Sequence, residues 1–254
     1  MEIRAVVQRL IDEAQFRFDT VGGNLYQPLP WLGLHQARRG TGTRARWRLL
    51  APLLDAYPLR TALDLGCHTG YFSMALAQRG IVTLGIDADE RALRIARYAT
   101  NRLHSTRLAF SSMMITPDTL DLLPQVDLVL VLSIWHHWVR SYGLAGASAI
   151  LATIWRRTNQ ILVFETGEDE MPADFRLPNM QGNPAGWLAG YLAEQCAGGT
   201  VRPLGQAQAF APGGDERRHV AYRTLFMVAQ PGVAPMREPA AAARAGRNGA
   251  RERA

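Results

Sequence analysis

Lysine is absent from this 254-residue sequence; every one of its 28 basic residues is arginine. That absence excludes a phosphate-binding loop of the Gly-x-x-x-x-Gly-Lys-Ser/Thr type, which needs the lysine to reach the terminal phosphates. Cysteine is scarce as well. The pair Cys67 and Cys196 suggests no disulfide framework of the kind that staples small secreted domains. No apolar run has the length to cross a bilayer: the longest, Val126–Ile134, carries Asp127 and is broken by two histidines soon after. A signal peptide is not expected, because Arg4, Arg9, Asp12 and Glu13 interrupt the first apolar stretch. The resulting expectation is a cytoplasmic protein with no membrane contact.

What is present supports a sizeable core. Hydrophobic residues make up 48% and charged residues 20%, a balance that excludes wholesale disorder. The net charge is +6 and unevenly spread. From Arg237 onward, arginine outnumbers glutamate in a segment otherwise made of Ala, Gly, Asn and Pro. Residues 231–254 therefore read as a disordered basic tail, with electrostatic contact to nucleic acid or another anion as the sharper alternative.

Periodicity divides the rest. Ile3, Val6, Val7, Leu10, Ile11, Ala14 and Phe18 recur at helical spacing, predicting an amphipathic helix that packs on the main domain as a lid or brace. Gly22-Gly23-Asn24 ends it. A loop with Tyr26, Pro28, Pro30 and Trp31 follows, and Arg38, Arg39, Arg44, Arg46 and Arg48 lead into a second helix reaching about Tyr57. Beyond Pro58 the pattern alternates. Strands are expected at Arg60–Leu65, Ile81–Ile86, Arg107–Ser111, Val126–Ser133 and Gln160–Glu165. Helices are expected at Tyr71–Arg79, Asp89–Arg102, Ala145–Arg157 and Trp187–Cys196. Two last extended runs, Thr200–Ala209 and Val220–Val228, are joined by Pro212-Gly213-Gly214-Asp215 and read as a hairpin. Such alternation implies a mainly parallel sheet with helices on both faces, a doubly wound α/β fold with an antiparallel edge. Ligands then sit beyond the carboxyl ends of the strands, where strand order reverses.

One run stands out at such a strand end: Ala62-Leu63-Asp64-Leu65-Gly66-Cys67-His68-Thr69-Gly70-Tyr71-Phe72. Gly66 allows a tight turn and lets a ligand touch bare backbone, and Gly70 permits close helix–strand packing. Asp87 closes the next strand, where a carboxylate can accept both hydroxyl protons of a ribose. A dinucleotide site would place glycine at position 68, which is His68 here. The pattern Asp-x-Gly-x-x-x-Gly with a following acid instead suits a nucleoside that lacks phosphates but carries a cationic amino-acid half.

On these residues the sequence resembles the class I S-adenosylmethionine-dependent methyltransferases, over about Trp47 to Val228 and most strongly over Leu63–Asp87. The resemblance implies a Rossmann-like, seven-stranded sheet with a C-terminal antiparallel hairpin. It also implies S-adenosyl-L-methionine as methyl donor. Asp64, Gly66, Cys67, His68, Gly70 and Ser133 would line the donor pocket, and Asp87 would hold the ribose. Where the family often has an acid facing adenine, this sequence has Ser111 and Ser112, so apolar contacts, with Met113, are expected to take over. The implied organisation is a helical lid over residues 1–46, a methyltransferase domain over 47–230, and the tail.

The acceptor side is expected at Ser133-Ile134-Trp135-His136-His137-Trp138, after the strongest strand. A hydroxyl acceptor benefits from a base with a pKa near neutrality, which makes His136 or His137 the candidate catalytic residues. Glu165 could orient such a base, and with Glu168, Asp169 and Glu170 could also form an acidic loop; no metal is expected. Arg46 would suit an anionic acceptor or the donor's carboxylate. The reading is O-methylation of a small molecule or saccharide. An RNA-modifying methyltransferase and a donor-binding protein without turnover stay open, and oligomeric state is unspecified.

Overall fold

The computed structural model describes residues 2–20, 25–210 and 220–237. The Pro212–Asp215 joint and the tail from residue 238 lie outside the described residues. Helix α1 spans Glu2–Thr20 and α2 spans Gly40–Ala56. The alternating core follows: β1 Thr61–Leu65, α3 Tyr71–Gln78, β2 Val82–Asp87, α4 Glu90–Leu103, β3 Leu108–Ser112, β4 Val126–Leu132, α5 Trp135–Arg156, β5 Thr158–Glu165, α6 Pro184–Gln195, β6 Thr200–Phe210 and β7 Val220–Ala229.

These strands form one seven-stranded sheet of order β3-β2-β1-β4-β5-β7-β6. The first five named are parallel, while β7 pairs antiparallel with both β5 and β6. The expected doubly wound sheet with an antiparallel C-terminal edge is therefore what the chain forms. Strand order reverses between β1 and β4, because the chain leaves β1 toward β2 and β3 and returns on the other side at β4. The crevice for a ligand opens there.

The core explains why the middle strands read as apolar runs. Leu128, Val129, Leu130 and Val131 of β4 have no exposed surface, being covered on both faces. On one face they meet α5 and α6 through Trp135, Ile150 and Leu188; on the other they meet α2 and α3 through Leu50, Leu53 and Leu76. The Phe110 ring seats against two glycines and so ties β2, β3 and the start of α3 together. A Cβ on Gly70 would lie 2.5 Å from Phe110 Cζ, and one on Gly85 would lie 2.5 Å from Phe110 Cε1. Gly70 also caps α3 with φ 79°, so its two requirements, left-handed backbone and close approach, coincide.

Two expectations are corrected. Helix α1 does not bury its apolar stripe: Val6, Val7, Leu10, Ile11 and Phe18 are exposed. The helix is held from another side instead. Phe16 stacks on Tyr98 with ring centroids 4.1 Å apart, Tyr98 bonds Glu13, and buried Asp19 pairs with Arg91 and Arg94 of α4. Polar and aromatic anchoring prevails over the apolar stripe.

The helix expected at Ala145 begins ten residues earlier, at Trp135. It is interrupted at Gly143 (φ 68°, ψ 175°), which accounts for a start read too late. The first two turns hold because Trp135, Trp138 and Val139, at i, i+3 and i+4, are all buried. No helix among the described residues is long and apolar enough to cross a membrane.

Candidate functional site

At the reversal point lies a cavity of about 480 Å³, within the range of small-molecule sites. Its first wall is built by β1, β2 and the turn between β1 and α3. Gly66 turns at φ 73° and His68 at φ 50°, bringing backbone to the cavity edge. The His68 amide donates to Asp87 Oδ2 at 2.8 Å, and the Asp89 amide donates to Asp87 Oδ1 at 2.8 Å. A carboxylate offers about four acceptor sites, so these two bonds orient Asp87 and leave room for two hydroxyls.

Asp64 lies deeper. It accepts from Ser73 Oγ at 2.6 Å, and burial, the largest influence, pushes its carboxyl up to about 6. Past the end of β3, Met113, Met114 and Ile115 line the cavity rather than Ser111 or Ser112.

The opposite wall comes from the segment before β1 and from the start of α5. Tyr26 packs on the His68 ring at 4.2 Å, and Arg39 lies 5.3 Å over the Tyr26 ring. Gln27, buried, accepts from Thr69 Oγ1 and from the Tyr71 amide, each at 3.2 Å. It thereby fastens this segment to the glycine turn. Sequence inspection passed over Gln27, since nothing local marks a contact that spans more than forty residues.

The two histidines part company. His137 reaches the cavity with Trp138, Ser141 and Tyr142. Partial enclosure, then the charges of Arg140 and Arg223, lower its pKa, so the ring is neutral at pH 7 and able to accept a proton. His136 turns away and is buried. Its Nδ1 accepts from the Gly167 amide at 3.1 Å and lies 3.1 Å from Thr166 Oγ1. Burial, with the neighbouring His137 and Arg223, lowers it to about 3. Trp135 also turns inward, donating to Tyr191 Oη at 2.9 Å, so it does not flank an open imidazole pair.

Of the residues expected in the donor pocket, Asp64, Gly66, His68, Asp87 and Ser133 line the cavity, while Cys67 and Gly70 do not. Cys67 is buried and Gly70 is spent on packing.

Glu165 is not directed at a histidine, and Arg46 is not left open for an anion. They bond each other: Arg46 Nε to Glu165 Oε2 at 3.0 Å and Nη2 to Oε1 at 3.2 Å. Arg223 of β7 also reaches Glu165, at 3.2 Å, and bonds Glu170 at 2.6 Å. Burial alone would raise Glu165, but the two arginines outweigh it and hold its carboxyl at about 2. Glu168 faces the Thr224 amide at 2.8 Å and is pushed up to about 7, first by burial. Glu165, Glu168 and Glu170 are thus bonded to protein partners, while Asp169 is exposed. Arg223 was missed, although an arginine inside the apolar run Val220–Ala229 is a signal that sequence reading could have used.

A doubly wound sheet of this order is the Rossmann-like fold of methyltransferases, and here a glycine turn and a carboxylate at adjacent strand ends face one cavity. The comparisons agree. Residues 63–160 match the family model described as a methyltransferase domain. Over those residues, fewer than half of the chain, it is similar to methyltransferase domains.

One curated relative is the O-antigen chain terminator bifunctional methyltransferase/kinase WbdD of Escherichia coli. It is 29% identical over 111 residues, which is 43% of this chain and 16% of that protein. A crystal structure of WbdD superposes with TM-score 0.62 at 25% identity, covering 81% of this chain and 44% of that one. This chain thus corresponds to less than half of WbdD. Magnesium protoporphyrin IX methyltransferase from Synechocystis PCC 6803, crystallised with bound S-adenosylmethionine, shares the fold. Its TM-score is 0.52 at 16% identity, with 76% of this chain and 78% of that one covered.

Proposed function

We propose that this protein moves the methyl group of S-adenosyl-L-methionine to a hydroxyl of a small molecule or saccharide, with His137 as the base. The observation that carries the reading is that His137 shares one cavity with Asp87 and the Gly66 turn, whereas His136 is turned into the core.

The residues suit such a donor. Asp87 is oriented by two amides with acceptor sites to spare, and His68 Nδ1 is buried without a hydrogen-bond partner among the described residues. Asp64, Gly66, His68 and Ser133 would hold the donor, Asp87 its ribose, and Met113 with Ile115 its base. When bound, the donor supplies an electrophilic methyl on a sulfonium. The chain's own part is to align the acceptor, exclude water and take one proton at the His137 imidazole. The saccharide acceptor is supported by the likeness to WbdD, whose name connects it with O-antigen chains. The segment before β1, within the proposed lid 1–46, would cover the acceptor.

The experiment is incubation with isotopically labelled donor and fractionated extract. Label in glycans or small alcohols is the expected result. Label in RNA would replace the acceptor assignment, and donor binding without transfer to any fraction would defeat the enzymatic reading.

A further inference from the structure

Glu165 ends β5 with no exposed surface and is bonded from three directions. Arg46 approaches from α2, Arg223 from β7, and Ser133 from the end of β4. Oε1 accepts from Arg46 Nη2 and Arg223 Nη1, each at 3.2 Å; Oε2 accepts from Arg46 Nε at 3.0 Å and Ser133 Oγ at 2.9 Å. Four donors fill the four acceptor sites of a carboxylate. Glu165 therefore has no capacity left for a ligand or a transferring proton.

Its partners do face the cavity. Arg46 and Ser133 both line it, and Ser133 does so with φ 58°, an unfavourable conformation for a residue with a Cβ. Such a conformation persists only where surrounding structure over-determines it. Glu170, on Arg223, balances the second arginine, so the cluster holds two positive and two negative charges. Burying four charges is a poor route to stability, since well-packed apolar groups do as well or better. What the arrangement does supply is position, because a bidentate arginine fixes both distance and angle.

We infer that Glu165 is a positioning residue: it latches α2 to the sheet and holds Ser133 in its left-handed conformation, thereby shaping the cavity wall opposite Asp87. The inference rests on the donor-site reading above for its effect on affinity, though the latch itself does not depend on it.

Three proteins test it: wild type, Glu165→Gln, and the double variant Arg46→Met/Glu165→Gln, in which Arg223 keeps Glu170. Glu165→Gln preserves shape and removes the charge. It is expected to lower donor affinity at least tenfold by calorimetry and to speed amide exchange in residues 40–46 at least tenfold, with β1 and β4 unchanged. In the double variant the melting temperature recovers toward wild type because no unpaired arginine from α2 remains buried, while donor affinity stays at least tenfold weak. A merely structural role would restore both together, and that outcome overturns the inference. So would a Glu165→Gln protein with wild-type exchange in residues 40–46 and donor affinity within twofold. Failure of the donor reading looks different: wild type itself would not bind S-adenosylmethionine, and the exchange measurement would still decide the latch.

Discussion

The two walls of the cavity are built on different principles. The wall formed by β1 and β2 is local: a glycine turn, a strand-end carboxylate and two backbone amides lie within 26 residues of one another, from Asp64 to Asp89. The opposite wall is assembled from positions remote in the chain. Gln27 reaches Thr69 and Tyr71, Arg46 reaches Glu165 across 119 positions, and Arg223 reaches Ser133 across 90. Backbone geometry defines the first wall; buried side-chain charge defines the second.

The comparison can be broken at several points, beginning with the largest effect. His137→Ala is expected to slow turnover at least about 100-fold while leaving donor affinity within twofold, since proton transfer contributes about 10²–10⁴-fold. Equal slowing by His136→Ala in a protein of unchanged stability would reverse the assignment of the two rings. Asp87→Ala should weaken donor binding about 100-fold in calorimetry, the cost of charged hydrogen bonds at a site whose amide donors are left unpaired. Binding near the wild-type value would show that the first wall is not the donor wall.

Gly85→Ala strikes the same wall by packing. The new methyl meets the Phe110 ring, and an overpacked seat of this sort costs about 1–3 kcal/mol in urea unfolding. A shift below 0.5 kcal/mol would mean that Phe110 relocates at little cost.

The smallest effect is a pH dependence of opposite sign at Asp64 of the first wall and at His136, buried behind the second. His136 is held at about 3 by burial, against an ordinary value of 6.5. The unfolded chain therefore binds the proton first, and this contribution to stability is present above 6.5 and lost as pH falls below it. His136→Phe should gain stability relative to wild type as pH drops, with a limiting slope of about 1.4 kcal/mol per unit. Asp64, raised to about 6, binds its proton first in the folded state, so its contribution is lost as pH rises through 6. Asp64→Asn should lose stability relative to wild type as pH falls from 6 toward 3.8. Denaturant titrations at pH 7 and 5 distinguish the signs; parallel curves for all three proteins would remove both environments.

How much of this could be read without coordinates differs in the same way between the walls. The strand run Ala62–Leu65, the turn at Gly66 and the acid Asp87 announce themselves because their partners are close in sequence and their periodicity is strict. The start of α5 did not, since Gly143 breaks a helix whose first two turns are held by tertiary burial of Trp135 and Trp138. The apolar stripe of α1 misled for the complementary reason: periodicity announces a face, and docking through Phe16 and Asp19 selected another.

By itself, the sequence determined the alternating α/β order, the antiparallel edge and the location of the Asp64–Asp87 motif, because helix and strand periods and glycine turns act over a few residues. Only the tertiary structure decided which histidine faces the cavity and that Glu165 serves two arginines rather than an imidazole. Those outcomes depend on which side chains from distant segments compete for the same buried donors and acceptors, and such competition is settled by packing.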